Sequence, residues 1–375
     1  MPASTCVILV PGFKGSILAA GKAPVWITAG QALFGHASLA CDRPDLGVPN
    51  PLALADGGIL EHVTVIPGLF KSDVYGSTIR ALRAALPAGW ELRAWHYDWR
   101  RDADALVREL DGFVAGVLAS GVGDVRIVAH SMGAMLTAAW LLRPGSAAGA
   151  AARVSHVAFA AGAFRGTTKV FRNLQTGDEP SGRNATLLSA PAMGSFPSIY
   201  AFIPDTWPFV VDAKGTPVAS DFRDVALWEG GRWGLFRDGR ADVAGARRAF
   251  LTERFAASRE FLRGIADPAA QAPKGLRVHS VLGTGVGTID RLIRRDDGTL
   301  VVNEAERKAE PALAALSLEV PGDGTIPAHG AELPPGLAAR AVGETLRVPA
   351  TEHMAIVQGG AGLAATLRFI TRPSA

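Results

Sequence analysis

Short apolar runs alternate with amphipathic segments at the two ends of this chain, and the middle breaks that rhythm. Residues 6–10 (Cys-Val-Ile-Leu-Val) are continuously apolar and are closed by Pro11-Gly12, the pattern of a strand buried on both faces. Residues 75–85 carry helical spacing until Pro87 and Gly89 stop it. Residues 90–97 alternate as a second strand, and Asp98 or Asp102 can cap the helix that follows to about Ala119. Val125–Ala129 reads as a strand, a helix then runs from Ser131 to about Leu142, and Val154–Ala160 is another strand. Leu276–Leu282 resumes the strand pattern, and 286–302 suggests a hairpin around Asp296-Asp297-Gly298. Residues 316–320 and 345–349 read as late strands and 360–371 as a closing helix.

Strands that alternate with helices predict a single α/β domain over 1–375, with a mostly parallel central sheet and helices on both faces. Two stretches depart from it. Residues 19–66 are rich in glycine and proline with little period and read as a lid-like insertion; residues 164–275 mix glycines, prolines and aromatics and read as a cap insertion. The chain shows no internal repeat and no low-complexity tract.

Composition narrows the classes further. Hydrophobic residues make up 48% and charged residues 19%, with a formal net charge of +3. No run of five like charges occurs, so neither a nucleic-acid-binding arm nor an acidic tail is expected. Cys6 and Cys41 are too few for a disulfide framework, and Cys6 sits in an apolar run where a buried free thiol is expected. The first apolar stretch is short and lacks a basic flank, which reads as a strand and not as a signal peptide. A cytoplasmic location is therefore expected, or a secreted one if a leader has been removed. The long uncharged stretch from Leu187 to Pro204 is broken by Pro191, Gly194 and Pro197, so no membrane-spanning helix is expected. The reading calls for no cofactor and no metal.

Chemistry concentrates in Ala129-His130-Ser131-Met132-Gly133. A serine hydroxyl is a weak nucleophile that needs a base in hydrogen-bond reach, and the base needs an acid to orient it. In α/β-hydrolases the serine occupies a strained turn between strand and helix, with small residues two positions to either side. Ala129 and Gly133 supply those residues, the strand precedes and the helix follows. The competing reading is an ordinary helix N-cap. The acid and base should follow in that order. Asp323, in Pro-Gly-Asp-Gly-Thr, follows a predicted strand, as does His353, in Thr-Glu-His-Met; a plain turn aspartate is the alternative for Asp323. Among the other histidines, His130 adjoins Ser131 but points away at an elbow, and His36 and His62 precede the core. His156 and His279 lie inside apolar strands, and His329 is the second choice of base. Two N–H groups should meet the developing oxyanion: that of Met132 at the helix start and that of Phe13 in the loop Pro11–Ser16.

These residues resemble the lecithin:cholesterol acyltransferase (LCAT) family, which includes lysosomal phospholipases and bacterial members. The resemblance rests on Leu-Val-Pro-Gly-Phe-Lys-Gly-Ser (9–16), His-Tyr-Asp-Trp-Arg (96–100), Ala-His-Ser-Met-Gly (129–133) and Ser-Phe-Pro-Ser-Ile-Tyr-Ala-Phe-Ile-Pro (195–204). Leu-Gly-Thr-Gly-Val-Gly-Thr (282–288) and Gly-Asp-Gly-Thr-Ile-Pro (322–327) complete it. It implies an α/β-hydrolase fold with lid and cap insertions, a Ser131–Asp323–His353 triad, Phe13 and Met132 as oxyanion donors, and a lipid ester as acyl donor. Two departures stand out. His96 occupies the place of the family's usual proline, and Cys6 and Cys41 do not match the small disulfide-closed lid of the secreted members. Asp98 and Arg100 read as a structural ion pair.

Trp26, Trp207, Trp228 and Trp233 fall in the two insertions, joined by Phe196, Phe202, Phe209 and Phe236. An apolar cap suits a long acyl chain, which makes Trp26, Phe196, Phe202 and Trp207 candidate substrate contacts. The expectation is a lipid esterase, phospholipase or acyltransferase, with peripheral contact to a membrane surface. An esterase, thioesterase or acyltransferase acting on a non-glycerolipid acyl group, such as a natural-product ester, is the alternative. A catalytically inactive lipid-binding module is the third reading.

Overall fold

A computed structural model describes residues 4–28, 30, 37–66, 70–178 and 186–373. His36 lies outside the described residues. Six strands form the central sheet: β1 (Thr5–Val10), β2 (Trp90–Ala94), β3 (Asp124–His130), β4 (Val154–Ala160), β5 (Arg277–Thr284) and β6 (Leu346–Pro349). Their order is β6-β5-β4-β3-β1-β2, and every neighbouring pair is parallel. Sheets of this kind require both faces covered, and β1 shows it: all six of its residues are buried. Cys6, Ile8 and Val10 face one apolar layer while Val7 and Leu9 face the other, the two-residue alternation of a pleated strand.

Helices α1 (Gly76–Ala85), α2 (Ala103–Ala119), α3 (Met132–Leu142), α4 (Ala244–Ala266) and α5 (Gly360–Ile370) cover the sheet and the cap. Asp102, and not Asp98, caps α2 through bonds from the N–H groups of Asp104 and Ala105. Asp98 instead grips the guanidinium of Arg100 at 2.6 and 2.9 Å. Helix α3 is buried all round, because it lies under the sheet and packs against both α2 and α4. Among the described residues, no helix is long and apolar enough to cross a membrane. Cys6 and Cys41 are free thiols; burial pushes that of Cys6 up to about 12.

Four sequence expectations shift. The strand expected at 316–320 is Glu319–Gly322, and it pairs antiparallel with Val286–Ile289 outside the central sheet. Its alternate residues Glu319 and Pro321 are exposed, which a doubly covered sheet would not tolerate. The hairpin around Gly298 is correspondingly narrower, Leu292–Arg294 with Leu300–Val301. Ser16–Ala20 pairs with Ala23–Trp26 and Leu54–Ile59 in a small antiparallel sheet, in a stretch whose sequence shows little period. The chain between β4 and β5, read as irregular, contains the 23-residue helix α4, whose buried Phe250, Leu251, Phe255, Leu262 and Ile265 form one stripe.

Candidate active site

Ser131 stands between the last residue of β3 and the first of α3, with φ 54° and ψ −120°. A non-glycine residue at such a φ carries roughly 1–3 kcal/mol of strain that surrounding structure must hold in place. Two contacts hold it: Ser131 N–H donates to the Ala160 carbonyl at 3.0 Å, and Met135 N–H donates to the Ser131 carbonyl at 3.1 Å. Gly133 is required because a Cβ there would lie 2.4 Å from the Pro11 carbonyl oxygen and 2.6 Å from that of Val10. The end of β1 therefore crosses directly beneath the start of α3.

The loop after β1 turns tightly. Gly15 N–H donates to the Gly12 carbonyl at 3.0 Å, and Lys14 adopts φ 66°. Gly12 lets this loop rest on the serine: a Cβ at Gly12 would lie 2.8 Å from Ser131 Cβ and 3.3 Å from Ser131 Oγ. Among the described residues neither Phe13 N–H nor Met132 N–H has an intramolecular acceptor. Gly12 N–H is taken, donating to Tyr75 Oη at 2.7 Å. Two free donors thus flank Ser131, one of them at a helix N-terminus.

Asp323 and His353 meet although 30 residues separate them. His353 Nδ1 lies 2.8 Å from Asp323 Oδ2. The other carboxylate oxygen accepts N–H bonds from Thr325 at 2.9 Å and Ile326 at 2.7 Å. Burial works to raise the Asp323 pKa, but His353 and these donors outweigh it and hold the carboxyl below its usual range. The loops are locked together as well, because His353 N–H donates to the Asp323 carbonyl at 2.9 Å. Gly283 of β5 makes room, since a Cβ there would lie 2.7 Å from Asp323 Cβ and from the Thr351 carbonyl oxygen. An ionised Asp323 accepts from Nδ1–H, which leaves His353 Nε2 as the proton acceptor. Its ring lies 4.7 Å, centroid to centroid, from that of His130, the residue before Ser131. Ser131 Oγ itself has no hydrogen-bond partner among the described residues, and such contacts are often loose before substrate binds.

The second-choice base is elsewhere. His329 Nε2 lies 3.2 Å from Asp290 Oδ1, and its ring is edge-on to Trp207 at 4.7 Å. His156 and His279 pack against Phe369. Of the aromatic candidates, Phe202 sits 6.1 Å from the Phe13 ring, and Trp26 and Phe196 both pack edge-on to Trp99. Trp26 Nε1–H also donates to the Lys14 carbonyl at 2.9 Å. Phe196 has no exposed surface. Trp207 lines a separate cavity of about 460 Å³ with Asp205, Phe209 and Arg223.

A cluster of cations escaped the sequence reading. Lys14 pairs with Asp178 at 2.6 Å. Lys169 donates to the Gly324 carbonyl at 3.2 Å and to Thr325 Oγ1 at 3.1 Å, both on the Asp323 loop. Burial depresses the Lys169 pKa, with Asp178 opposing and Lys14 and Arg172 adding to the depression. Asp178 stays ionised because Lys14, Lys169 and Arg172 together outweigh its burial. Lys14 adjoins Phe13 in sequence and could have been found there; Lys169, Arg172 and Asp178 lie in a cap without a readable pattern.

A parallel sheet with a strained serine between strand and helix, and an Asp–His pair on loops beyond later strands, defines an α/β-hydrolase. Residues 73–220 match the sequence model of the family described as lecithin:cholesterol acyltransferase. Over that stretch, which is under half of the chain, the sequence resembles the family; the protein is an enzyme of the ester-hydrolysing or acyl-transferring class. It is similar in fold to a chain of the Tle4–Tli4 complex, with a TM-score of 0.59 and 14% identity over 100% of both chains. A structure from a study of carboxylesterases of the ammonia-oxidizing thaumarchaeon Nitrososphaera gargenis aligns at a TM-score of 0.34 and 9% identity, over 97% of this chain and 89% of the other. No curated protein sequence matches.

Proposed function

We propose that the enzyme transfers an acyl group from a lipid ester through a covalent Ser131 acyl-enzyme. Asp323, His353, Phe13 and Met132 complete the machinery. The carrying observation is the 2.8 Å Asp323–His353 bond beside a serine held at φ 54°. In the first half-reaction Ser131 Oγ attacks the ester carbonyl while His353 Nε2 takes the hydroxyl proton. The Phe13 and Met132 N–H groups receive the oxyanion. As the C–O bond to the leaving group breaks, His353 returns that proton to the departing alkoxide. Water or an alcohol then attacks the acyl carbon as His353 Nε2 takes its proton; the bond to Ser131 Oγ breaks, and His353 returns that proton to the serine. Lys14, Lys169 and Arg172 all act on the carboxylate of Asp178, and Lys169 is bonded to Gly324 and Thr325 of the Asp323 loop. That surplus of positive charge favours a donor with an anionic head group.

The test is labelling and turnover together. A fluorophosphonate probe should label wild type and not Ser131→Ala. Phospholipid vesicles with anionic and zwitterionic head groups, and a short soluble ester, are then incubated with an alcohol and the products identified by mass spectrometry. Equal labelling of both proteins would overturn the serine mechanism. Turnover confined to the soluble ester would overturn the lipid donor.

A further inference from the structure

The hydrogen bond that occupies Gly12 N–H belongs to a longer chain. Tyr75 Oη accepts from Gly12 N–H at 2.7 Å and lies 2.7 Å from His130 Nδ1. His130 Nε2 lies 3.3 Å from the carbonyl oxygen of His353. Both side chains are buried, Tyr75 at 1% exposure and His130 at 1%. We propose that Tyr75 and His130 are positioning residues that set the oxyanion loop and the His353 loop in register with each other across the nucleophile.

With His130 neutral, one arrangement of protons satisfies all three contacts. The His353 carbonyl can only accept, so Nε2 carries the ring hydrogen and donates to it. Nδ1 then carries none and accepts the phenol hydrogen, while the phenol oxygen accepts from Gly12 N–H. A protonated His130 could not accept from Tyr75. Burial, with His353 nearby, keeps the ring neutral by lowering its pKa to about 3.

The relay touches three catalytic segments. At one end Gly12 precedes the oxyanion donor Phe13. In the middle His130 precedes Ser131. At the other end the carbonyl of His353 is itself an acceptor. The mounting is stiff. Tyr75 N–H donates to the Leu60 and Glu61 carbonyls at 3.2 Å each. Thr78 Oγ1 donates to the Val357 carbonyl at 2.7 Å, and Gln358 Nε2 donates to the Asp73 and Val74 carbonyls at 2.8 and 3.1 Å. The segment that carries Tyr75 is therefore fastened to the residues just after His353. Removing the phenol would leave a buried Gly12 N–H and a buried imidazole nitrogen without partners, and the loop would move to find others.

This inference rests on the proposed Ser131 mechanism, and two variants keep them apart. Tyr75→Phe and His130→Asn are compared with wild type as full chains on a soluble ester. Rates are expressed per active site titrated by fluorophosphonate, so that misfolded protein does not count. His130→Asn retains an acceptor near the Nδ1 position and loses the donor to His353. Each variant should lose tenfold or more in kcat per titrated site with KM within twofold. Affinity for a boronic acid that mimics the tetrahedral species should fall in Tyr75→Phe in parallel with kcat. A purely structural role would lower the titrated fraction and leave the rate per site alone. Rates per site within twofold of wild type in both variants would overturn the relay while Ser131→Ala still lacked turnover. If Tyr75→Phe does not fold, His130→Asn decides by the same criterion.

Discussion

Replacing Gly12 by alanine adds one methyl group where the loop after β1 meets Ser131. The new Cβ would lie 2.8 Å from Ser131 Cβ and 3.2 Å from His130 Nδ1. Ordinary carbon–carbon contact begins at about 3.5–4.0 Å, so the two sides must part by about 1 Å. The Ser131 side resists, because its N–H and C=O are both bound, at 3.0 and 3.1 Å, and it continues into a fully buried helix. The loop therefore moves and carries Phe13 N–H with it. Gly12 is not among the positive-φ residues, so alanine brings no backbone penalty and the effect is steric alone. A displacement of about 1 Å at a reacting centre costs on the order of 100-fold in rate, close to the loss of one oxyanion donor. That is about 2.7 kcal/mol of transition-state stabilisation. The assay is kcat/KM on a soluble ester beside a thermal melt. A variant within threefold of wild type with an unchanged melting temperature would refute the argument, because the loop would then have absorbed the methyl without disturbing its donor.

The remaining predictions concern the pair and its surroundings. Asp323→Asn should preserve the fold and lower kcat by roughly 10³–10⁴-fold, because an amide favours the wrong histidine tautomer; single-turnover kinetics read it. His353→Ala should abolish ester turnover while His329→Ala leaves it within a few-fold, since His353 bonds Asp323 and His329 faces Asp290 instead; the reverse outcome would reassign the base. His130 contributes a pH dependence whose sign follows from its lowered pKa. Between about pH 6.5 and about pH 3 the unfolded chain binds a proton that the folded chain refuses. Stability is therefore lost as the pH drops through that window, by roughly 1.4 kcal/mol per pH unit from this one group. Denaturant melts of wild type and His130→Asn, compared from pH 7 to 4, should converge in the slope that His130 supplies, and parallel curves would contradict it.

The strand β1 was legible because Cys6–Val10 is continuously apolar, and β3 and β4 because Val125–Ala129 and Val154–Ala160 are short, β-branched-rich runs interrupted only by Arg126 and by Ser155 and His156. Ser131 was legible because a strand, a small-flanked serine and a helix follow one another without a gap. Asp323 and His353 were legible as loop residues beyond predicted strands, although the strand before Asp323 turned out to lie off the main sheet. Local pattern could not reach the rest. Glu319–Gly322 pairs with Val286–Ile289, partners 30 to 36 positions apart, and such pairing leaves no periodic mark at either partner. Helix α4 did carry a stripe, but seven of its 23 residues are charged and its neighbours are irregular, which hid the period.

Gly12, Gly133 and Gly283 show the same division at the site. Sequence marks them as small, and a turn explains that much. Only the tertiary structure shows that each makes way for a different segment: Ser131, the end of β1, and Asp323. Tyr75 and His130 go furthest in this direction. Composition and spacing present one as a helix-start aromatic and the other as a neighbour of the serine. Their joint contact with Gly12 and His353 exists only because four segments converge at the C-terminal ends of the parallel strands. Hydrogen bonds over about 3 Å depend on that convergence, and sequence distance carries no information about it.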